Sequence, residues 1–364
     1  MLSKRLVVLA LLSSVCGAAP ISAQPTRELP LVWVLATGGT ISGQGASSTS
    51  LTDYKAGALL GEQLVAGVPE IKQVATVKVG QIVNVGSPNI TIANWLTIAN
   101  RITTILRDDP KVAGVVVTHG TSTLEETAYF LNLTVKHDRP VVMVGAMRPA
   151  TAISADGPLN LLNAIRVAAA PEARGKGVLV VLNDAINAAR DVTKTNTYRV
   201  ETFRAPELGV LGYVDEDKVS FYRASTKRHT HGSEFDVSGL KDLPKVEIVY
   251  SYVEPSVVVA RALVADGARG IVVAGSGAGG MSELEENALK PLLALPVESR
   301  PVVVRSNRTG NGRVVGGPQG NRPNDKLGMI AADNLIPQKA RILLMLALTR
   351  TRDLNEIQRM FNEY

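Results

Sequence analysis

Cysteine is all but missing from this chain: one residue, Cys16, in 364. It lies in a segment with a basic start (Lys4-Arg5), an apolar stretch (Leu6 to Val15) and a small-residue end (Ile21-Ser22-Ala23). That order is the pattern of a secretory signal peptide over residues 1–23, and it predicts a periplasmic or secreted protein. Val15 is too bulky to precede a lipid-bearing cysteine. Cleavage leaves a chain from Gln24 with no disulfide and no thiol nucleophile, so it holds together by its core alone in an oxidising compartment. Long hydrophobic runs are absent too. The leader is too short to anchor, and no later stretch approaches the roughly 20 apolar residues a membrane helix needs.

Histidine is also scarce. The four residues, His119, His137, His229 and His231, have no metal-ligand spacing, so no metal site and no other cofactor is expected. Charge clusters are lacking. The net charge of +6 falls by two, to +4, without Lys4 and Arg5, and the densest basic patch is only Lys227-Arg228-His229. Nucleic acid and membrane surfaces are therefore poor partners. There is no Gly-x-Ser-x-Gly elbow for a serine triad, no Gly-x-Gly-x-x-Gly at the first strand end for a dinucleotide, and no internal repeat.

What is present is alternation. About 340 residues remain after the leader, roughly two domains. Fully apolar runs at Leu31–Ala36, Val112–Val117, Val141–Val144 and Val178–Leu182 read as buried parallel strands. Strands are also predicted at 74–79 and 81–85, and helices at 57–66, 89–107 (capped by Thr91), after Thr123, and through Ala170. Acids Glu125 and Glu126 suit the first turn of the helix after Thr123. This is α/β alternation, with a mostly parallel sheet and helices on both faces. The pattern breaks over 221–242, which is polar and reads as a structureless inter-domain linker between 24–220 and 243–364. Alternation then resumes, with strands at 246–250, 270–274 and 301–304. Helices are expected near 255–266, 282–294, 337–349 and 352–362. Asn307 to Lys326 is rich in Gly and Asn and has no periodicity.

The chemistry gathers at strand ends. The first strand runs into Thr37-Gly38-Gly39-Thr40-Ile41, and the second apolar run into Thr118-His119-Gly120-Thr121-Ser122. Open α/β sheets bind ligands outside the carboxyl ends of their strands. Glycine lets the backbone approach a ligand, a hydroxyl there can attack it, and backbone N–H groups can stabilise an oxyanion. A small, polar loop, Ser42 to Ser50, follows Thr40, and Tyr54 lies at its far edge. With cysteine excluded, hydroxyl chemistry assisted by tyrosine or lysine remains.

Those two turns, with Val144-Gly145-Ala146-Met147-Arg148-Pro149, Ser154-Ala155-Asp156-Gly157-Pro158, Asp191-Val192-Thr193-Lys194-Thr195 and Pro337-Gln338-Lys339-Ala340-Arg341, resemble the bacterial secreted (type II) L-asparaginases. The resemblance spans the mature chain. It implies the two-domain asparaginase fold, a larger N-terminal and a smaller C-terminal α/β domain. It implies a homotetramer of two intimate dimers with sites between subunits, and no cofactor. It implies hydrolysis of a small-molecule side-chain amide, asparagine or glutamine, through an acyl-enzyme. By position, Thr40 matches the nucleophile, Tyr54 its activating tyrosine, Thr121 and Lys194 the second hydroxyl and its lysine, and Ser87 the serine that holds the substrate α-carboxylate.

The chain departs from that pattern where the family binds the substrate α-ammonium. Ser122 stands in place of Asp, Pro88 in place of Gln or Glu, and Ala278 in place of an Asn from the neighbouring subunit. The loop Gln319-Gly320-Asn321-Arg322-Pro323 has no acid where a neighbouring Glu is expected. Removing one partner of a buried charge costs about 2–5 kcal/mol. Two other readings therefore stay open: the same chemistry on an amide or lactam lacking a free α-ammonium, and a non-catalytic secreted binding protein on this scaffold.

Overall fold

The computed structural model describes residues 28–364; the leader expected over 1–23 lies outside them. The larger domain is built on an eight-stranded sheet: β1 (Leu31–Gly38), β2 (Thr76–Val85), β3 (Val112–Thr118), β4 (Val141–Val144), β5 (Val178–Leu182), β6 (Ala185–Ala188), β7 (Gly212–Val214) and β8 (Val219–Phe221). Their order is β8-β7-β6-β5-β4-β3-β1-β2. Strands β2, β1, β3, β4 and β5 are parallel. Helices α1 (Gly61–Ala66), α2 (Ile92–Asp108), α3 (Leu124–Thr134) and α4 (Gly157–Ala169) connect them. The smaller domain has four parallel strands, β9 (Val246–Tyr250), β10 (Gly270–Gly275), β11 (Val302–Asn307) and β12 (Ile330–Ala331). Its helices are α5 (Val259–Ala265), α6 (Glu283–Leu293), α7 (Pro337–Ala347) and α8 (Leu354–Glu363).

The central parallel strands β1, β3, β4 and β5 are apolar on both faces because each face feeds a separate core. Val115 and Val117 of β3 pack with α2 and α3, whereas Val116 packs on the α4 side. The first core is continuous with the smaller domain through Val272, Val304, Leu343 and Leu346. Helix α7 is the bridge, packing on α3 and on β9, β10 and β11. The chain leaves β1 for β2 on one side and returns through α2 to β3 on the other. That reversal at β1 is a topological switch point, where a crevice opens at the strand ends.

Several expectations shift. The two strands predicted over 74–85 are one; Gly80 is no break but lies flat beside Leu35 and Trp33 of β1. The helix predicted from 57 starts at Gly61. Thr91 caps α2 as predicted, accepting from Asn94 N at 3.2 Å. Beyond β5 the sheet turns antiparallel. Asn183 and Asp184, both with positive φ, make a two-residue hairpin into β6.

Segment 221–242 is not structureless. Thr230, Ser233, Phe235 and Val237 are buried, and Phe235 packs on Tyr364 with ring centroids 5.0 Å apart. The basic patch Lys227-Arg228-His229 is tied to the C-terminal helix. Lys227 Nζ donates to Asn362 O at 2.7 Å, and Arg228 pairs with Glu363 at 2.6 Å and Glu234 at 3.2 Å. The loop from Asn307 to Lys326 is organised by one buried carboxylate: Asp325 pairs with Arg305 at 3.0 Å and accepts from Gly317 N and Arg322 N.

Candidate active site

Three strand-end turns meet at the switch point. Gly38 and Gly39 end β1 with φ of 97° and 85°, which side-chain-bearing residues rarely adopt. A Cβ on Gly39 would lie 2.3 Å from Gly120 Cα, so the turn after β1 stacks directly on the turn after β3. A Cβ on Gly120 would in turn lie 2.8 Å from Ser87 Oγ, in the turn after β2. Hydrogen bonds lock the stack: Gly39 N donates to Val85 O at 2.9 Å, and Thr37 Oγ1 to Thr118 O at 2.8 Å.

Thr40 begins a short helical turn and is nearly buried; its Oγ1 lies 2.7 Å from the Tyr54 hydroxyl. Tyr54 reaches it because Gln44–Gly45 pairs antiparallel with Tyr54–Lys55, folding the loop back on itself. Gly43 makes room for the ring, since a Cβ there would lie 2.7 Å from Tyr54 Cδ2. The loop is fastened elsewhere too: Ala150 N donates to Gly43 O at 2.8 Å and Ile153 N to Ser48 O at 2.8 Å.

Thr121 opposes it from the β3 turn. Lys194 Nζ donates to Thr121 Oγ1 at 2.8 Å. Burial holds the Lys194 ammonium below its ordinary pKa, with the Glu125 carboxylate pulling the other way. Ser87 Oγ accepts from Ser122 N at 3.0 Å, and Ser87 O accepts from Thr123 Oγ1 at 2.9 Å. So the structure gathers Thr40 with Tyr54, Thr121 with Lys194, and Ser87 with the β3 turn. Pro88 and Ser122 are exposed beside Ser87. Ala278 sits on an exposed turn after β10 in the smaller domain, and Gln319, Asn321 and Arg322 are exposed as well. Among the described residues no hydrogen bond joins these to Thr40 or Thr121.

His119 is no ligand. It is fully buried, and burial pushes its pKa down to about 4. A chain runs from Trp95 Nε1 to Thr127 Oγ1 (2.8 Å), to His119 Nε2 (3.0 Å), and from His119 Nδ1 to Gly120 O (2.8 Å). With Trp95 as donor, the neutral ring carries its proton on Nδ1 and holds the carbonyl just before Thr121. Among the described residues no group of three His, Cys, Asp or Glu side chains could hold a metal ion. Two residues escaped the sequence reading. Glu125 was visible only as a helix-start acid, and Gln338 only as part of a motif. The Glu125 carboxylate is buried and accepts from Lys194 N and from Gln338 Nε2, each at 2.6 Å.

Fold and site define a class, an α/β amidohydrolase, and comparison narrows it. A family model described as Asparaginase, N-terminal matches residues 31–227, and one described as Glutaminase/Asparaginase C-terminal domain matches residues 245–361. L-asparaginase 2 of Bacillus subtilis (strain 168) is 52% identical over 343 residues, covering 94% of this chain and 89% of that one. A glutaminase-asparaginase of Pseudomonas fluorescens biotype A is 46% identical over 350 residues, covering 95% of each. The crystal structure of a probable cytoplasmic L-asparaginase from Campylobacter jejuni superposes with a TM-score of 0.87 at 47% identity, over 92% of this chain and 100% of that one. The chain belongs to the asparaginase family.

Proposed function

We propose that this amidohydrolase cleaves the side-chain amide of asparagine, and of glutamine, through an acyl-enzyme on Thr40. The observation that carries this is the 2.7 Å contact between Thr40 Oγ1 and the Tyr54 hydroxyl at the switch-point crevice. Thr40 Oγ1 attacks the amide carbon. Its proton passes to the Tyr54 oxygen as the Tyr54 proton passes to the departing nitrogen, and ammonia leaves. Water then attacks the ester carbon. Its proton goes to Lys194 Nζ, and as the carbon–Oγ1 bond breaks that same proton is returned to Thr40 Oγ1, leaving Lys194 neutral as it began. Thr121 holds the lysine in place, and Ser87 receives the substrate carboxylate. Thr40→Ala is the test: ammonia release from L-asparagine is lost if the reading is right, and persists if another group attacks.

A second reading rests on Ser122. An uncharged, exposed side chain stands beside Ser87, with Pro88 next to it, where an acid would grip an ammonium. On this reading the preferred substrate is an amide or lactam whose α-nitrogen is absent or acylated. Turnover of L-asparagine against its N-acetyl and des-amino analogues decides. A strong preference for free L-asparagine rejects the second reading, as does a Ser122→Asp variant with no gain on asparagine.

We also propose export on residues 1–23, a domain boundary within 221–242, and a homotetramer in which a neighbour completes the crevice. The exposed Ala278 turn supports the last, being free to face another copy. Sedimentation gives the assembly size, and the N-terminus of exported protein gives the cleavage point.

A further inference from the structure

Glu125 is the buried carboxylate that the reaction above leaves without a part. It lies in the first turn of α3, and among the described residues no cation comes within 4 Å of it, because Lys194 turns its ammonium away toward Thr121. A buried anion without a counter-ion is costly unless its oxygens are well bonded. Both are. Oε2 accepts from the Lys194 backbone N–H and Oε1 from Gln338 Nε2, each at 2.6 Å. The first donor belongs to the short ladder that carries the working lysine, where Thr193–Lys194 pairs with Phe203–Arg204. The second stands at the start of α7, in the smaller domain.

The next residue strengthens the grip. Lys339 is buried, and its Nζ donates to three carbonyls just upstream of the ladder: Ala189 at 2.9 Å, Arg190 at 2.8 Å and Val192 at 2.5 Å. Two successive residues of α7 therefore hold the 189–194 segment, one directly and one through Glu125. Two residues of backbone pairing would not by themselves fix where a long lysine side chain points. Anchoring the Lys194 N–H sets the origin of that side chain, and Thr121 then receives its end.

We propose that Glu125 and Gln338 are positioning residues, a carboxylate–amide bridge through which the smaller domain fixes Lys194 against Thr121. The inference rests on the reading of Lys194 and Thr121 as a working pair. It makes the second domain part of the chemistry within one chain, separately from anything a neighbouring subunit adds.

The test is an exchange. Glu125→Gln leaves an amide that cannot accept from both donors, and Gln338→Glu sets two carboxylates against each other. Each single variant is expected to lower kcat by about 100-fold, the scale of a misplaced catalytic group, with KM little changed. In the double variant E125Q/Q338E the amide at 125 accepts from Lys194 N–H and donates to the carboxylate at 338. Both hydrogen bonds return, and most of the lost kcat returns with them. Full kcat in both single variants, or a double variant no better than the worse single, overturns the bridge. So does a fall in melting temperature with kcat unchanged in the folded protein. Lys194→Ala separates the two levels. If it keeps full activity, the reading of the working pair fails; if it is inactive while both single bridge variants are active, only the bridge fails.

Discussion

At the scale of single residues, the site divides into two hydroxyls with different companions. Thr40 faces a phenol and Thr121 an amine, so each change has its own signature. Thr40→Ala is expected to lower kcat by about 1000-fold or more, since among the described residues no other hydroxyl hydrogen-bonds to Tyr54, while Thr40→Ser keeps part of the rate. Steady-state ammonia release measures both. Lys194 can take a proton only when neutral. Burial lowers its pKa, so the rate rises with pH through a value below the ordinary 10.5, and the neutral amine dominates above it. Glu125 pulls that pKa up, so Glu125→Gln moves the limb to lower pH. Lys194→Arg keeps the charge but cannot give up its proton. It should lose about 100-fold or more and show no such limb in a pH–rate profile.

Elements explain why these groups meet. Gly39 has no room for a methyl against Gly120, and its φ is positive, so Gly39→Ala must push the β1 and β3 turns apart. The expected result is about 100-fold loss of kcat in a protein that still folds, checked by circular dichroism beside the assay. Thr91→Ala, at the exposed cap of α2, should cost about 1 kcal/mol in urea unfolding and leave kcat alone. These elements were legible in the sequence because both-face apolar runs and glycine-hydroxyl endings are local signals. Val141–Val144 and Val178–Leu182 emerge with the bounds read from composition. The strands β6 to β8 were not legible: they are three or four residues long, and the pairing of β6 is set by an Asn183-Asp184 turn rather than by a run. Glu125 illustrates the same limit at the site. Its neighbours in sequence say helix start, whereas its partners lie 69 and 213 residues away.

Across the whole molecule, the C-terminal helix closes the structure. Tyr364 is buried against Phe235, and its backbone carbonyl accepts from Arg190 Nε at 2.9 Å. Tyr364→Ala is expected to cost about 3–5 kcal/mol, the range for deleting a large buried ring. Basic residues of the 227–229 patch take part in this closing, because Lys227 and Arg228 find partners more than 100 residues later. Arg228 holds the Glu363 carboxylate below its ordinary range, and Arg359 does the same for Glu356. Carboxylates so lowered stabilise fully above the unfolded value of 4.5, and that contribution is lost as pH falls through the lower folded value. Hydrogen exchange over 228–234 and 354–363 should therefore quicken in acid before it does in β1 and β3.

The central claim is that Thr40, not Thr121, carries the acyl group. Acid-quenching the enzyme during turnover of a slowly hydrolysed amide, followed by peptide mass analysis, tests it directly. The account predicts an added acyl mass on the peptide containing Thr40, absent in Thr40→Ala. An adduct on the Thr121 peptide, or an unmodified Thr40 peptide while ammonia is released in a burst, would contradict it.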